Sequence, residues 1–292
     1  MNRKFIKKLD KKIGISTVKN QIHTINVMLV FLIIAALYAV YLNHTGIMLS
    51  YGIIVASVAM LALAGFLSFR IRLQVKLEGM KLDYRKVLVT PVVAEMYEKG
   101  TFSGSGSLTE REILNTNLFS DGYEYKYDSK NECKGVYKDI VFEASDVKET
   151  KANTNMSVIG RIFQFEIPTE NVNPVIFASA TAPAIERMTG QLKVFETGND
   201  EIDKRYMTYA FDENEAKNMI NSSLEFKLLS IIKMGLGRVV KICFYNNKVC
   251  VYYTSDHLSF EEVLTKKHKT AEEVHNTVKT LSIIDKLIDI LK

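Results

Sequence analysis

Residues 20–69, NQIHTINVMLVFLIIAALYAVYLNHTGIMLSYGIIVASVAMLALAGFLSF, are fifty consecutive positions without an Asp, Glu, Lys or Arg. Charged residues make up 24% of the 292-residue chain, so an ordinary soluble domain would hardly produce such a run, and it reads as membrane-embedded. Asn43-His44-Thr45-Gly46 interrupts it with turn formers in place of branched apolar residues. Two spans follow, 25–42 and 47–69, of 18 and 23 residues. They bracket the roughly 20 that cross a hydrocarbon core at about 1.5 Å per residue. A connection this short makes the pair an antiparallel transmembrane hairpin.

The charges around the run set its orientation. Residues 1–19 hold seven Lys/Arg and one Asp, residues 70–86 six Lys/Arg and two acids, and residues 87–292 25 against 30. The basic excess therefore flanks the apolar stretch, with Lys7, Lys8, Lys11, Lys12 and Lys19 before it and Arg70, Arg72 and Lys76 after it. Basic residues near span ends stay on the cytoplasmic side. The expected product is a two-span protein of the cell membrane with both termini cytoplasmic. A cleaved signal peptide is the competing reading, but Tyr38-Ala39-Val40-Tyr41-Leu42 is too bulky for a cleavage site and a second span follows. Within residues 1–24, Phe5, Leu9 and Ile13 fall on one helical face among lysines; an interfacial helix and a frayed basic tail both fit that pattern. Because the large remainder is mildly acidic, a nucleic-acid partner is not expected.

Beyond the spans, residues 70–99 read as a juxtamembrane helix with Gly79 and Pro91 as possible interruptions, and Gly100 to Ser107 as a linker. Residues 100–292 read as a cytoplasmic α+β domain, a mostly antiparallel sheet with packed helices. Ser107 and Glu110 have capping-box spacing for a helix to Asn115. Period-two patterns mark strands around Tyr123 to Tyr127, over 135–144, 158–167, 191–197 and 205–211. Asp212-Glu213-Asn214-Glu215 opens a helix that Gly235 and Gly237 end; helix capping explains this acidic cluster better than a metal site does. Asn246-Asn247 suits a type I′ turn, which puts Phe244 opposite Val249, Ile242 opposite Val251, and Cys243 opposite Cys250 on the other face. In a cytoplasmic setting those thiols stay reduced. A final helix over 270–291 carries an apolar stripe from Val274 to Leu291 that docks on the sheet by default or meets a partner helix.

No CxxC, HExxH, GxSxG, Walker or GxGxxG motif is present, and the five histidines lack thiols or carboxylates at ligand spacing. No cofactor or metal is expected, and no catalytic residue can be assigned. Catalytic groups can still converge from distant positions, so an enzyme is not excluded.

Several segments together carry a likeness. Tyr84-Arg85-Lys86-Val87-Leu88-Val89-Thr90-Pro91 behind two amino-terminal spans is followed by Leu118-Phe119, Tyr123-Glu124-Tyr125 and Gly135-Val136-Tyr137-Lys138-Asp139-Ile140-Val141-Phe142-Glu143. Gly160-Arg161-Ile162-Phe163, Tyr209-Ala210-Phe211-Asp212-Glu213-Asn214-Glu215-Ala216 and Val249-Cys250-Val251-Tyr252-Tyr253 come next, ahead of Ser259-Phe260-Glu261. In order and spacing they resemble a bacterial membrane-protein family catalogued as domain of unknown function 3137. The likeness covers most of residues 75–292 and departs at Asp121-Gly122, where members carry a longer polar loop. It implies a bacterial inner-membrane protein and brings no reaction. The leading expectation is a non-enzymatic, membrane-tethered module that binds or scaffolds a protein partner or a second copy of itself. A membrane-anchored enzyme with a site assembled from sheet loops, and a subunit of a membrane transport complex, are the alternatives.

Overall fold

The uncharged stretch folds into two helices in the computed structural model, which describes residues 15–45, 49–105, 108–119, 124–154, 156–169, 171, 173–179, 192–260 and 270–292. Helix α1 spans Ile15–His44 and helix α2 spans Leu49–Met96. Both are long and apolar enough to cross a membrane. They pack through Val18, Ile25 and Leu29 of α1 with Leu73 of α2, supported by Ile22, Leu63, Phe66, Leu77 and Met80. Most of their other apolar side chains face outward. Helix α2 runs through both Gly79 and Pro91, the expected interruptions. Pro91 only removes the amide that would bond the Val87 carbonyl.

The chain divides into two compact units between Tyr84 and Arg85. Among the described residues the second is built on one nine-stranded sheet, antiparallel at every pairing and ordered β1-β2-β3-β4-β9-β8-β5-β7-β6. Its strands are β1 (Glu98–Ser103), β2 (Tyr125–Tyr137), β3 (Ile140–Lys151), β4 (Ser157–Phe165), β5 (Val175–Ser179), β6 (Lys193–Phe195), β7 (Tyr206–Ala210), β8 (Val240–Tyr245) and β9 (Lys248–Ser255). The helices are α3 (Glu110–Leu114), α4 (Asp200–Asp203), α5 (Glu213–Met219), α6 (Ser222–Lys233) and α7 (Thr270–Leu291). The α+β class read from the sequence holds.

Alternation along each strand splits the core into two layers. Phe142, Phe163, Phe177, Ile242 and Val251 face Val89, Val92 and Val93 of α2, Leu228 of α6, and Leu281, Ile284 and Ile288 of α7. Two buried tyrosines tie these layers, Tyr97 Oη donating to the Leu281 carbonyl and Tyr206 Oη to that of Leu228, each at 2.9 Å. On the opposite face Val147, Ile162, Ile176, Cys243 and Tyr252 are covered by Leu108, Ile113, Leu118 and Phe119. That cover is fastened by Lys241 Nζ donating to the Leu118 carbonyl at 3.0 Å and Tyr245 Oη to that of Asn115 at 2.6 Å.

Several expectations change. Residues 98–103 form edge strand β1 against β2, so the linker reading fails over that part; Ser107 lies outside the described residues. The α3 cap sits two residues later than expected, with Thr109 and Glu112 as a capping box. Residues 135–144 are not one strand but a hairpin that reverses at Lys138-Asp139, with φ of 49° and 66°. The helix opened by Asp212 is two helices, because Asn221 caps α6 separately after α5 ends. Strand β5 goes unmarked in the sequence pattern. The β8–β9 hairpin follows the expected register throughout, with φ of 45° at Asn246 and 59° at Asn247.

Gly160 lets the Tyr252 ring lie flat over β4, since a Cβ there would run into that ring. Gly160→Ala should therefore destabilise the protein by about 1–3 kcal/mol in urea unfolding followed by circular dichroism.

Candidate functional site

Among the basic residues singled out in the sequence, Lys7, Lys8, Lys11 and Lys12 lie outside the described residues, and Lys19 belongs to α1. Arg70, Arg72 and Lys76 are on α2, with Arg72 and Lys76 exposed. Val18, next to Lys19, shares an apolar cluster with Leu73. The antiparallel pairing thus brings Lys19 and this basic trio to the same end of the hairpin, away from the connection after His44.

A second set of charges sits inside the sheet unit. Asp146 of β3 and Arg161 of β4 are direct cross-strand partners, and both are about 1% exposed. They share strand parity with Phe142 and Phe163, so they point into the helix-side core. The irregular pairing of β2 after Lys130 coincides with Asn131 at φ 57°, and this side chain is fully buried. Asn tolerates that backbone. Asn131 Nδ2 donates to Asp146 Oδ2 at 2.7 Å and to the Ser259 carbonyl at 2.8 Å. Ser259 completes the carboxylate's partners, its amide donating to Oδ2 and its hydroxyl to Oδ1, each at 2.7 Å. Burial pushes the Asp146 carboxyl above the usual carboxylate range, against the pull of Arg161 and these donors.

The arginine is less well served. Its nearest approach to Asp146 is 3.7 Å, and Nε, Nη1 and Nη2 have no hydrogen-bond partner. Its guanidinium carbon lies 5.6 Å from the Phe163 ring centroid and 5.2 Å from that of Phe260. Arg85, also buried, donates to Asn131 Oδ1 at 3.5 Å, and among the described residues its Nε has no partner. The connected groups therefore carry two positive charges and one negative. Each unpaired buried donor costs about 1–3 kcal/mol, and a ring contact returns about 0.5–2. The rings do not offset the missing acceptors.

Next to this cluster opens a cavity of about 820 Å³ lined by Ser157, Arg238, Thr254, His257, Asn276 and Phe260 among others. Its size lies within the range of small-molecule sites. Ser259 and Tyr253 also line it, so the cavity shares three residues with the surroundings of Asp146 and Arg161. Phe260, whose ring lies against the Arg161 guanidinium, also lines the cavity and has φ of 65°, a strained value for a bulky residue. Its ring meets that of Phe102 edge-on at 5.5 Å.

On the opposite face, Lys241 is buried between the rings of Phe119 and Tyr252, with centroids at 5.6 and 5.8 Å. Burial lowers its pKa, opposed by Glu149. Cys243 and Cys250 face each other as free, fully buried thiols, and burial pushes Cys243 well up and Cys250 to about 12. They are packing residues rather than nucleophiles. Asp212 caps α5 by accepting from the amides of Asn214 and Glu215, as the sequence indicated. Among the described residues no group of three or more His, Cys, Asp and Glu could hold a metal ion. His257 reaches the cavity; His23, His44 and His275 are exposed on helices.

Fold and site together define an α+β protein with two apolar amino-terminal helices and an antiparallel sheet enclosing a buried, net-cationic cluster beside a cavity. Residues 137–292 match the family described as a protein of unknown function, DUF3137, and the chain belongs to that family. No curated protein and no solved structure matches it.

Two variants separate the buried charges. Asp146→Ala should cost about 3–5 kcal/mol in urea unfolding, since it leaves Arg161 and Arg85 with no buried counter-charge. For Lys241, a folded pKa below the ordinary 10.5 means that its contribution is present above that value and lost as pH falls through the folded value. Relative to Lys241→Met, wild-type stability should thus climb as pH rises from neutrality toward 10.5, as measured by urea midpoints across that range.

Proposed function

We propose that this protein is a membrane-anchored binding module: α1 and α2 span a bilayer as a hairpin, and the sheet unit works on the cytoplasmic side. The observation that carries this reading is the outward exposure of apolar side chains on the faces the two helices do not turn to each other, including Phe31 at 67%, Leu37 at 65% and Leu61 at 76%. A helix of a soluble core buries such residues, whereas lipid accepts them on every face. The basic residues at one end, Lys19 with Arg70, Arg72 and Lys76, favour the cytoplasm for that end. The sheet unit offers a cavity of small-molecule size, which supports a binding role. Lipid, and a protein partner or second copy, are its proposed partners.

A membrane-anchored enzyme is the second reading, favoured by one observation: His257 lines the cavity beside the buried Asp146 network. Against it, the Asp146 carboxylate is held by Asn131 and Ser259 and does not itself line the cavity.

Reporter fusions test the topology. A fluorescent protein that matures only in the cytoplasm, fused after Lys292, should fluoresce. An export-dependent phosphatase inserted between His44 and Leu49 should be active. Activity of the phosphatase at Lys292, with a dark fluorescent fusion, would overturn both the topology and the cytoplasmic role.

A further inference from the structure

Arg161 poses a problem that its protein neighbours leave unsolved. A guanidinium is a planar fork of five donors, suited to two oxygens of a carboxylate or phosphate. Here all three nitrogens lack acceptors at 1% exposure, although Asp146 lies across the ladder. Asp146 Oδ1 stops at 3.7 Å from Nη1, beyond hydrogen-bond reach, while the carboxylate accepts from Asn131 and from the amide and hydroxyl of Ser259, each at 2.7 Å. Arg85 adds a second buried cation with an unpartnered Nε. Among the described residues no oxygen lies within hydrogen-bond reach of the Arg161 guanidinium.

Phe260 links the cluster and the cavity: its ring lies against the guanidinium, the residue also lines the cavity, and its backbone holds a strained φ of 65°. The rest of the lining, with the hydroxyls of Ser157 and Thr254 and the Asn276 amide, suits a hydrogen-bonding body attached to an anionic head. We propose that this cavity receives a small-molecule oxyanion, phosphate- or carboxylate-bearing, whose oxygens pair with Arg161 once the Phe260 ring moves aside. Phe260 then acts as the gate and Ser259 as the hinge, anchored to Asp146.

The proposal deepens the binding-module reading by naming its ligand class, and it does not need the helices to cross a membrane. The full-length protein in neutral detergent is heated in inorganic phosphate, in acetate and in chloride at equal ionic strength. A saturable rise in Tm in phosphate or acetate over chloride is expected, and which salt gives it identifies the head group. Arg161→Met should keep or raise Tm in chloride and weaken the anion response at least about tenfold. The chain has no tryptophan, so Phe260→Trp places a single fluorophore on the gate. Its emission should shift with the midpoint of the Tm effect. Equal Tm in all three salts, an unchanged response in Arg161→Met, or a Trp emission that ignores the anion would each overturn the proposal. The reporter-fusion result stands or falls separately.

Discussion

A sheet that is apolar on both faces has to be covered twice, and most of this fold follows from that requirement. Val175, Ile176, Phe177 and Ala178 of β5 are all buried, so neither side of the central strands can face water. At about 25 cal/mol per Å² of apolar surface, leaving either face open would cost more than a domain's net stability. One face is closed by α6, α7 and the last turns of α2; the other by the irregular segment through Leu118 and Phe119. The two covers are fixed differently. The helical layer is packed broadly and pinned by tyrosine hydroxyls on helix carbonyls. The opposite cover depends on a few polar ties, among them a buried lysine on the Leu118 carbonyl. A lysine is tolerable there because its ammonium lies over two aromatic rings and donates to a carbonyl.

One consequence concerns where the sheet unit begins. Val89, Val92, Val93 and Tyr97 are core residues of that unit, yet they belong to the helix that carries the second apolar segment. A boundary drawn at the glycine- and serine-rich stretch near residue 100 would remove part of the helical layer and the first residues of β1.

How much of this was legible in the sequence depended on whether periodicity or local turn chemistry carried the signal. The 270–291 helix and the β8–β9 hairpin were readable because one has an unbroken stripe and the other two Asn residues at positive φ. Strand β5 escaped because burial on both faces removes the alternation that marks a strand. The β2–β3 hairpin escaped because Lys138-Asp139 is poor turn chemistry, and β1 because Gly100, Thr101 and Ser103 resemble a linker until β2 supplies the pairing. The basic flanks were legible as composition. The buried cluster was only half so: Arg161 shares parity with Phe163 and Phe165, and Asp146 with Phe142 and Ala144, which is the pattern of a charge placed on a core face. That they pair with each other depends on the β3–β4 register. Ser259, 113 positions from Asp146, comes from a loop that no pattern connects to it.

Charge is also arranged differently on the outside and the inside of the sheet unit. Beyond Lys86 the chain carries 25 basic against 30 acidic residues, so its surface field disfavours anions at long range. Screening confines that field to about 8 Å at physiological salt. Arg161 and Arg85 lie in a medium of low dielectric, where an unpaired charge acts far more strongly on its immediate neighbours. The surface can therefore change its charges at little cost to the buried cluster, whereas changes at Asn131, Asp146, Ser259 or Phe260 act on it directly. The polar character of this domain that matters is thus set by four residues of its interior, drawn from β2, β3 and the loop after β9, rather than by its net charge.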